Sequence, residues 1–174
     1  MIWELAIKPA RVRRNLGLLL IAELELNLEE IAYYRVCREE DPENQLVNML
    51  LPRASFLASQ ASLGELSARD LRELIRFHAV TSKIEATHVA LETLTASTRN
   101  PIDSQDMAML KEAIASGVAM LGRLLEDAWT VGNTARTSLD RTIRDSWMDE
   151  PAPLEPSETI VAAARERRAH HRST

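Results

Sequence analysis

The chain has 174 residues, one cysteine and a net charge of −5, so it can bury a core without disulfides or a structural metal, and it lacks the basic balance of a nucleic-acid binder. Hydrophobic residues make up 45% of it but aromatics only 4%, with five glycines, a balance that favours helices and excludes a β-sandwich rich in Tyr, Val and Thr. No run approaches the roughly 18 to 20 apolar residues that cross a bilayer, because Leu16–Ala22 is stopped by Glu23 and Glu25.

Residues 1–15 form an apolar and basic segment in which Ile2, Trp3, Leu5 and Ile7 precede Lys8, Arg11, Arg13 and Arg14. It does not read as a secretory signal, since it begins apolar, contains Glu4 and meets its basic cluster afterwards. Pro9 is expected to break or begin a helix. Two readings stand side by side. Trp3 and Leu5 pack on the bundle with the arginines solvated, or Trp3, Lys8, Arg11, Arg13 and Arg14 contact an anionic membrane surface or a partner.

The first convincing helix is expected from Leu16 to Arg38. Leu20, Leu24, Leu28 and Ile31 make one face, and Leu19, Leu26 and Tyr33 widen the apolar coverage, which implies burial on more than one side. Glu23, Asn27 and Glu30 share a face, with Glu29 and Glu30 expected in solvent. Pro42 disfavours helix at Asp41 and ends the element. A short helix is expected from Pro42 or Glu43 to about Leu50, then another stretch from Ala54 to Ala61 anchored by Phe56 and Leu57.

Ser67 and Asp70 resemble a capping box with Asp in the acidic place, so a long helix is expected from Ala68 to about Ser97. Leu71, Leu74, Phe77, Ile84, Leu91 and Leu94 lie on or near one stripe of it. Residues 98–104, with Pro101 and then Asp103 or Ser104 as N-cap, fit the turn of an αα-hairpin. The strongest periodic signal follows, from Met107 to Trp147. Met107, Leu110, Ile114, Val118, Leu121, Leu125, Ala128, Ala135, Leu139 and Ile143 make a single stripe over roughly 60 Å. Such a helix needs a long neighbour, and the Ala68 helix is the obvious antiparallel one. Gly117, Gly122 and Gly132 mark either close helix approach or a bend, and Trp129 is a core anchor or a subunit contact.

Residues 149–174 change character. Pro151, Pro153 and Pro156 fall within six positions and exclude helix there. Ser157 can cap a short helix from Glu158 to Arg168, and the basic end is expected to be a solvated, mobile tail or a docking arm for an acidic partner. The predicted fold class is therefore all-α, an elongated antiparallel helical bundle with two long helices forming a hairpin, a third N-terminal helix and short helices. Its divisions are 1–15, a bundle domain at 16–148, and the tail at 149–174.

The one constellation with metal-ligand spacing is on the Ala68 helix, where His78, Thr81, Glu85 and His88 share a face and Glu85 with His88 makes a Glu-x-x-His pair. Diiron bundles use that pair twice, and no second copy occurs, so Glu85 and His88 stand as candidate metal ligands beside the plainer reading of a polar layer. Cys37 sits among Arg35, Arg38 and Glu39 without a base nearby and reads as a structural thiol. No phosphate-binding, nucleophile-elbow or zincin motif is present, so neither an enzyme nor a cofactor is expected.

The run Ala22-Glu23-Leu24-Glu25-Leu26-Asn27-Leu28, a later Leu-Pro, and LGELSARDLRELIRFHAVTSKIE resemble a broad group of uncharacterised bacterial proteins. In that group a membrane helix feeds directly into a Leu-rich helix bearing Glu-x-x-x-Asn-Leu, here Glu23, Asn27 and Leu28. The resemblance covers residues in about half of the chain and implies no established activity. The chain departs from it by lacking the span, although Met1–Arg14 reads like the cytoplasmic flank of one. The expected function is a non-enzymatic protein-interaction or scaffold module, with self-association expected from an uncovered apolar stripe. A peripheral membrane module using residues 2–14 is the alternative, and a metal-binding bundle the third. The expected location is cytoplasmic, or the inner face of a membrane, and nucleic acid is not an expected partner.

Overall fold

A computed structural model describes residues 2–40, 51–98, 103–145 and 153–173. All described regular structure is helical: α1 (Ile2–Glu40), α2 (Ala54–Ala58), a 3-10 turn (Gln60–Glu65), α3 (Ala68–Ser97), α4 (Ser104–Arg144) and α5 (Ser157–Ser173). The short helix expected between Pro42 and Leu50 lies outside the described residues.

The two long helices begin where local chemistry says they should. The Ser67 hydroxyl accepts the Asp70 N–H at 3.1 Å, and the Asp103 carboxylate accepts the N–H groups of Gln105 and Asp106 at 2.8 and 2.9 Å. Each cap satisfies donors that the first helical turn leaves open. α3 and α4 then run antiparallel, with Asp70 beside Ser138, Phe77 beside Gly132 and Leu91 beside Gly117. α1 is antiparallel to α4 as well, since Gly17 meets Ile143, Leu28 meets Gly132 and Arg38 meets Gly122. Gly132 is approached from both sides, by α1 and by α3. A Cβ there would lie 2.8 Å from the Phe77 ring and 2.9 Å from Leu28 Cδ2, so the α4 glycine is explained by packing inside an uninterrupted helix.

The core is what these registers bury. Leu20, Leu24, Leu28 and Ile31 of α1 meet Leu74, Phe77 and Ile84 of α3 and Leu125, Ala128, Ala135 and Leu139 of α4. Each fully buried Leu, Ile or Phe contributes on the order of 1.5–3 kcal/mol. The stripe on α4 is buried from Leu121 onward but only half-buried at Met107, Leu110, Ile114 and Val118. α1 ends at Glu40, just past the Arg38–Gly122 contact, so that end of α4 keeps α3 as its described neighbour.

Three expectations need correction. Pro9 neither breaks nor starts a helix: it lies inside α1, where it gives up one backbone bond near the helix's beginning and leaves the well-buried turns from Leu16 onward intact. Leu19 and Leu26 do not add a second buried side, being 48% and 53% exposed. Residues 157–173 form one docked helix, where a short helix at Glu158–Arg168 ending in a solvated tail or a docking arm was expected. Ile160 and Ala164 of α5 are buried, and Arg167, Arg168 and Arg172 pair with Glu30 and Glu40 of α1. The basic run that reads as solvated is therefore matched by acids on α1, and α5 runs parallel to it.

Candidate functional site

Two buried polar clusters and one exposed apolar face carry what the core does not. The first cluster lies between α1, α2 and α3 and is built on the Glu-x-x-x-Asn spacing. Glu23 and Asn27 are one turn apart on α1 and both buried. The Glu23 carboxylate accepts the Ser55 N–H at 2.6 Å and the Phe56 N–H at 3.2 and 3.3 Å. Those are the open donors at the start of α2, whose own N-cap residue, Arg53, supplies no side-chain cap. Asn27 donates to the Pro52 carbonyl and to the Glu23 carbonyl, both at 2.8 Å. The Glu-x-x-x-Asn residues thus hold the Leu-Pro segment against α1.

His78 closes this cluster from α3. Its ring stacks on Phe56 with centroids 3.8 Å apart, and Nε2 is 3.8 Å from Glu23 Oε1, beyond hydrogen-bond reach. Burial, and then the nearby Arg53 charge, push His78 down to about 4, so it is neutral at pH 7. Arg53 pairs with Glu85 and donates to Ser82 Oγ at 2.8 Å. Glu23, the group nearest the imidazole, is already committed to two backbone donors. The Glu23 carboxylate is turned on the backbone of α2, while Asn27 Oδ1 and His78 Nδ1 are buried without a hydrogen-bond partner among the described residues, and the cluster's physical effect is to fix α2 between α1 and α3.

The second cluster surrounds Asp70, which is 1% exposed. Its carboxylate accepts hydroxyls from Ser67 at 2.7 Å, Ser138 at 2.6 Å and Thr142 at 2.9 Å. The acid that holds the hydroxyl of the N-cap residue Ser67 therefore also ties α3 to the last turns of α4.

The proposed metal pair is divided between different partners. Glu85 is engaged with Arg53, while His88 Nδ1 lies 3.9 Å from Glu92 on its own helix. Among the described residues no three His, Cys, Asp or Glu side chains are placed to hold an ion. Cys37 is buried and unbridged. A surface cavity of about 310 Å³ is lined by Arg35, Arg38, Glu39, Gly122, Leu125 and Glu126. Its charges balance, with Arg35 paired to Glu126 at 2.8 Å and lying over the half-buried Trp129 ring.

The residues assigned to membrane or partner contact all fall on α1. Lys8 and Arg11 are exposed, Arg13 donates to the Glu65 carbonyl at 2.8 Å, and Arg14 is half-buried. Trp3 lies in α1 with its side chain outside the described residues. Just beyond them comes a feature that sequence reasoning missed. Val12, Asn15, Leu19, Ala22, Leu26 and Glu29 are spaced alternately three and four apart and every one is exposed. Val12 is 42% exposed, and it and the two leucines recur at every seventh position, the spacing that carries a coiled-coil seam. The same face continues through Glu30, Tyr33 and Cys37, and there it is covered by α5, with Arg167 4.3 Å over the Tyr33 ring. The signal was present in the spacing, but α1 carries two apolar stripes of one period, and periodicity alone does not say which is buried.

The described residues form an all-α bundle in which α5 covers the later part of one face of α1 and leaves the Val12–Leu26 part of that face exposed. Comparison with protein-family models, with curated proteins and with solved structures finds no match.

Proposed function

We propose that the chain is a non-enzymatic helical interaction module that binds a protein partner through the exposed face of α1. The observation that carries this reading is the Val12–Leu26 seam. Soluble chains seldom leave several large apolar side chains aligned in solvent unless something covers them, and the next turns of the same face are occupied by a helix. The Glu23–Asn27 cluster supports it indirectly, because its hydrogen bonds to Pro52, Ser55 and Phe56 hold α1 in its rotation.

The test is site-specific photo-crosslinking in the cells that make the protein. A photoreactive residue at Leu19 or Leu26 is expected to give covalent protein adducts, and one at the exposed Ala86 of α3 is expected to give few. Equal adducts from all three positions, or none from the two α1 positions, would overturn the reading.

A second reading is favoured by one observation, the exposure of Lys8 and Arg11 beside Val12 at the start of α1. Cations flanking apolar side chains suit an anionic lipid surface. No helix among the described residues is long and apolar enough to cross a membrane, so such an association would be peripheral. Salt-sensitive flotation with phosphatidylserine vesicles, lost on Lys8→Ala/Arg11→Ala, would support it; recovery of all protein in the unbound fraction at low salt would exclude it.

A further inference from the structure

The open half of the α1 face has the pattern of a surface that pairs with itself. Large and small or polar residues alternate along it: Val12, Leu19 and Leu26 are separated by Asn15 and Ala22. A helix with this spacing presents knobs at every seventh position and shallow gaps between them, which another helix of the same pattern fills. The exposed stretch from Val12 to Leu26 is roughly 21 Å long. Its occupied continuation shows that the face accepts a helix, since α5 lies on the Glu30–Cys37 part of it.

Charge selects the direction. Exposed Lys8 and Arg11 stand at the N-terminal end of the seam and exposed Glu29 stands at the other. Glu25, on the flank near that end, is partly exposed and pairs with Arg136 at 3.5 Å. Two copies aligned in the same direction would set cations against cations and acid against acid. Two copies aligned in opposite directions set Lys8 and Arg11 of each against the acidic end of the other. A two-fold arrangement of this kind uses one patch twice and closes on itself.

We propose that the partner on this face is a second copy of the chain, its α1 crossing the first antiparallel over Val12–Leu26, with the two-fold axis near Leu19. This rests on the interaction-module reading and names its partner. α5 limits the overlap to the open stretch, and the helices diverge beyond it.

Sedimentation equilibrium and oxidative crosslinking test the proposal. The intact chain is expected to show twice its 19.5 kDa mass at about 100 µM. Leu19→Glu/Leu26→Glu is expected to raise the dissociation constant at least about 100-fold, since each substitution is felt twice in a symmetric contact. Both positions are solvent-exposed in the subunit, so far-ultraviolet dichroism should not change, nor should the melting temperature at dilutions where the intact chain is itself monomeric. In a Cys37→Ala background, Leu19→Cys should crosslink to itself. Val12→Cys and Leu26→Cys should crosslink when mixed and not alone.

A monomeric intact chain, a dimer indifferent to the Leu19/Leu26 substitutions, or efficient crosslinking of Val12→Cys alone would each overturn the proposal. If the chain is monomeric yet a photoreactive Leu19 position captures a different protein, self-pairing fails and the interaction reading survives. If it is monomeric and captures no protein, both fail.

Discussion

Replacing Glu23 by alanine removes the acceptor for two backbone donors at once. The Ser55 and Phe56 N–H groups, now 2.6 and 3.2 Å from the carboxylate, are left without that partner beside a buried part of α1. An unsatisfied buried donor costs about 1–3 kcal/mol, and the second of these bonds is the longer, so the expected loss is about 2–4 kcal/mol. For a chain of this size that corresponds to a melting temperature lower by roughly 5–15 °C. Glu23→Gln keeps one acceptor oxygen and should recover about half of the loss. Glu29→Ala, on the exposed side of the same helix, should stay within about 0.5 kcal/mol of the parent. Urea unfolding followed by circular dichroism at 222 nm measures all three. Should Glu23→Ala match Glu29→Ala, the contact between α1 and α2 is not formed, and the assignment of inward and outward faces of α1 goes with it.

Further expectations follow from the other clusters. Asp70→Ala should lower stability by about 3 kcal/mol, because three hydroxyls lose a charged acceptor and α3 loses part of its cap; a change under about 1 kcal/mol in the urea midpoint analysis would contradict the bridge to Ser138 and Thr142. Gly132→Ala should destabilise by about 1–3 kcal/mol despite its gain in helix propensity, since the new methyl meets the rigid Phe77 ring. Gly117→Ala meets a single flexible side chain, Leu91 with Cδ2 at 2.6 Å and Cγ at 3.2 Å, and should cost less than the ring contact, an order readable from melting temperatures. Since the folded chain holds His78 down near 4 against an ordinary 6.5, its unfolded form binds the proton more readily. The contribution is fully present above about pH 6.5 and is lost as pH falls through about 4, by about 2–3 kcal/mol. His78→Gln should flatten the stability profile in that window, and an unchanged slope would remove His78 as its cause.

The long elements were legible because their signals are local. Ser67 and Asp70 announced α3 at Ala68, Asp103 announced α4, and the Met107–Ile143 stripe found its α3 neighbour. α1 and α5 were less so, for reasons that are tertiary. The buried turns downstream carry the helix through Pro9, and α5 docks because its arginines meet Glu30 and Glu40, residues more than a hundred positions away in the chain. The Glu-x-x-x-Asn pair was visible as a spacing, yet its role depends on where Pro52, Ser55 and Phe56 return, which no local pattern encodes. Of the surface, Lys8 and Arg11 were named from sequence, whereas Leu19 and Leu26 were assigned to the interior and Val12 was not singled out.

Leu19 and Leu20 are neighbours in sequence and opposites in the fold, one 48% and the other 1% exposed. The most direct test is therefore the maleimide reactivity of Leu19→Cys in the Cys37→Ala background, followed from nanomolar to about 100 µM chain, a range that spans ordinary dimer affinities. A face that is open in the single chain and covered by a second copy reacts at the rate of a free thiol when dilute and becomes protected as concentration rises. A rate independent of concentration would contradict pairing on this face, and protection at every dilution would contradict the outward rotation of α1 itself.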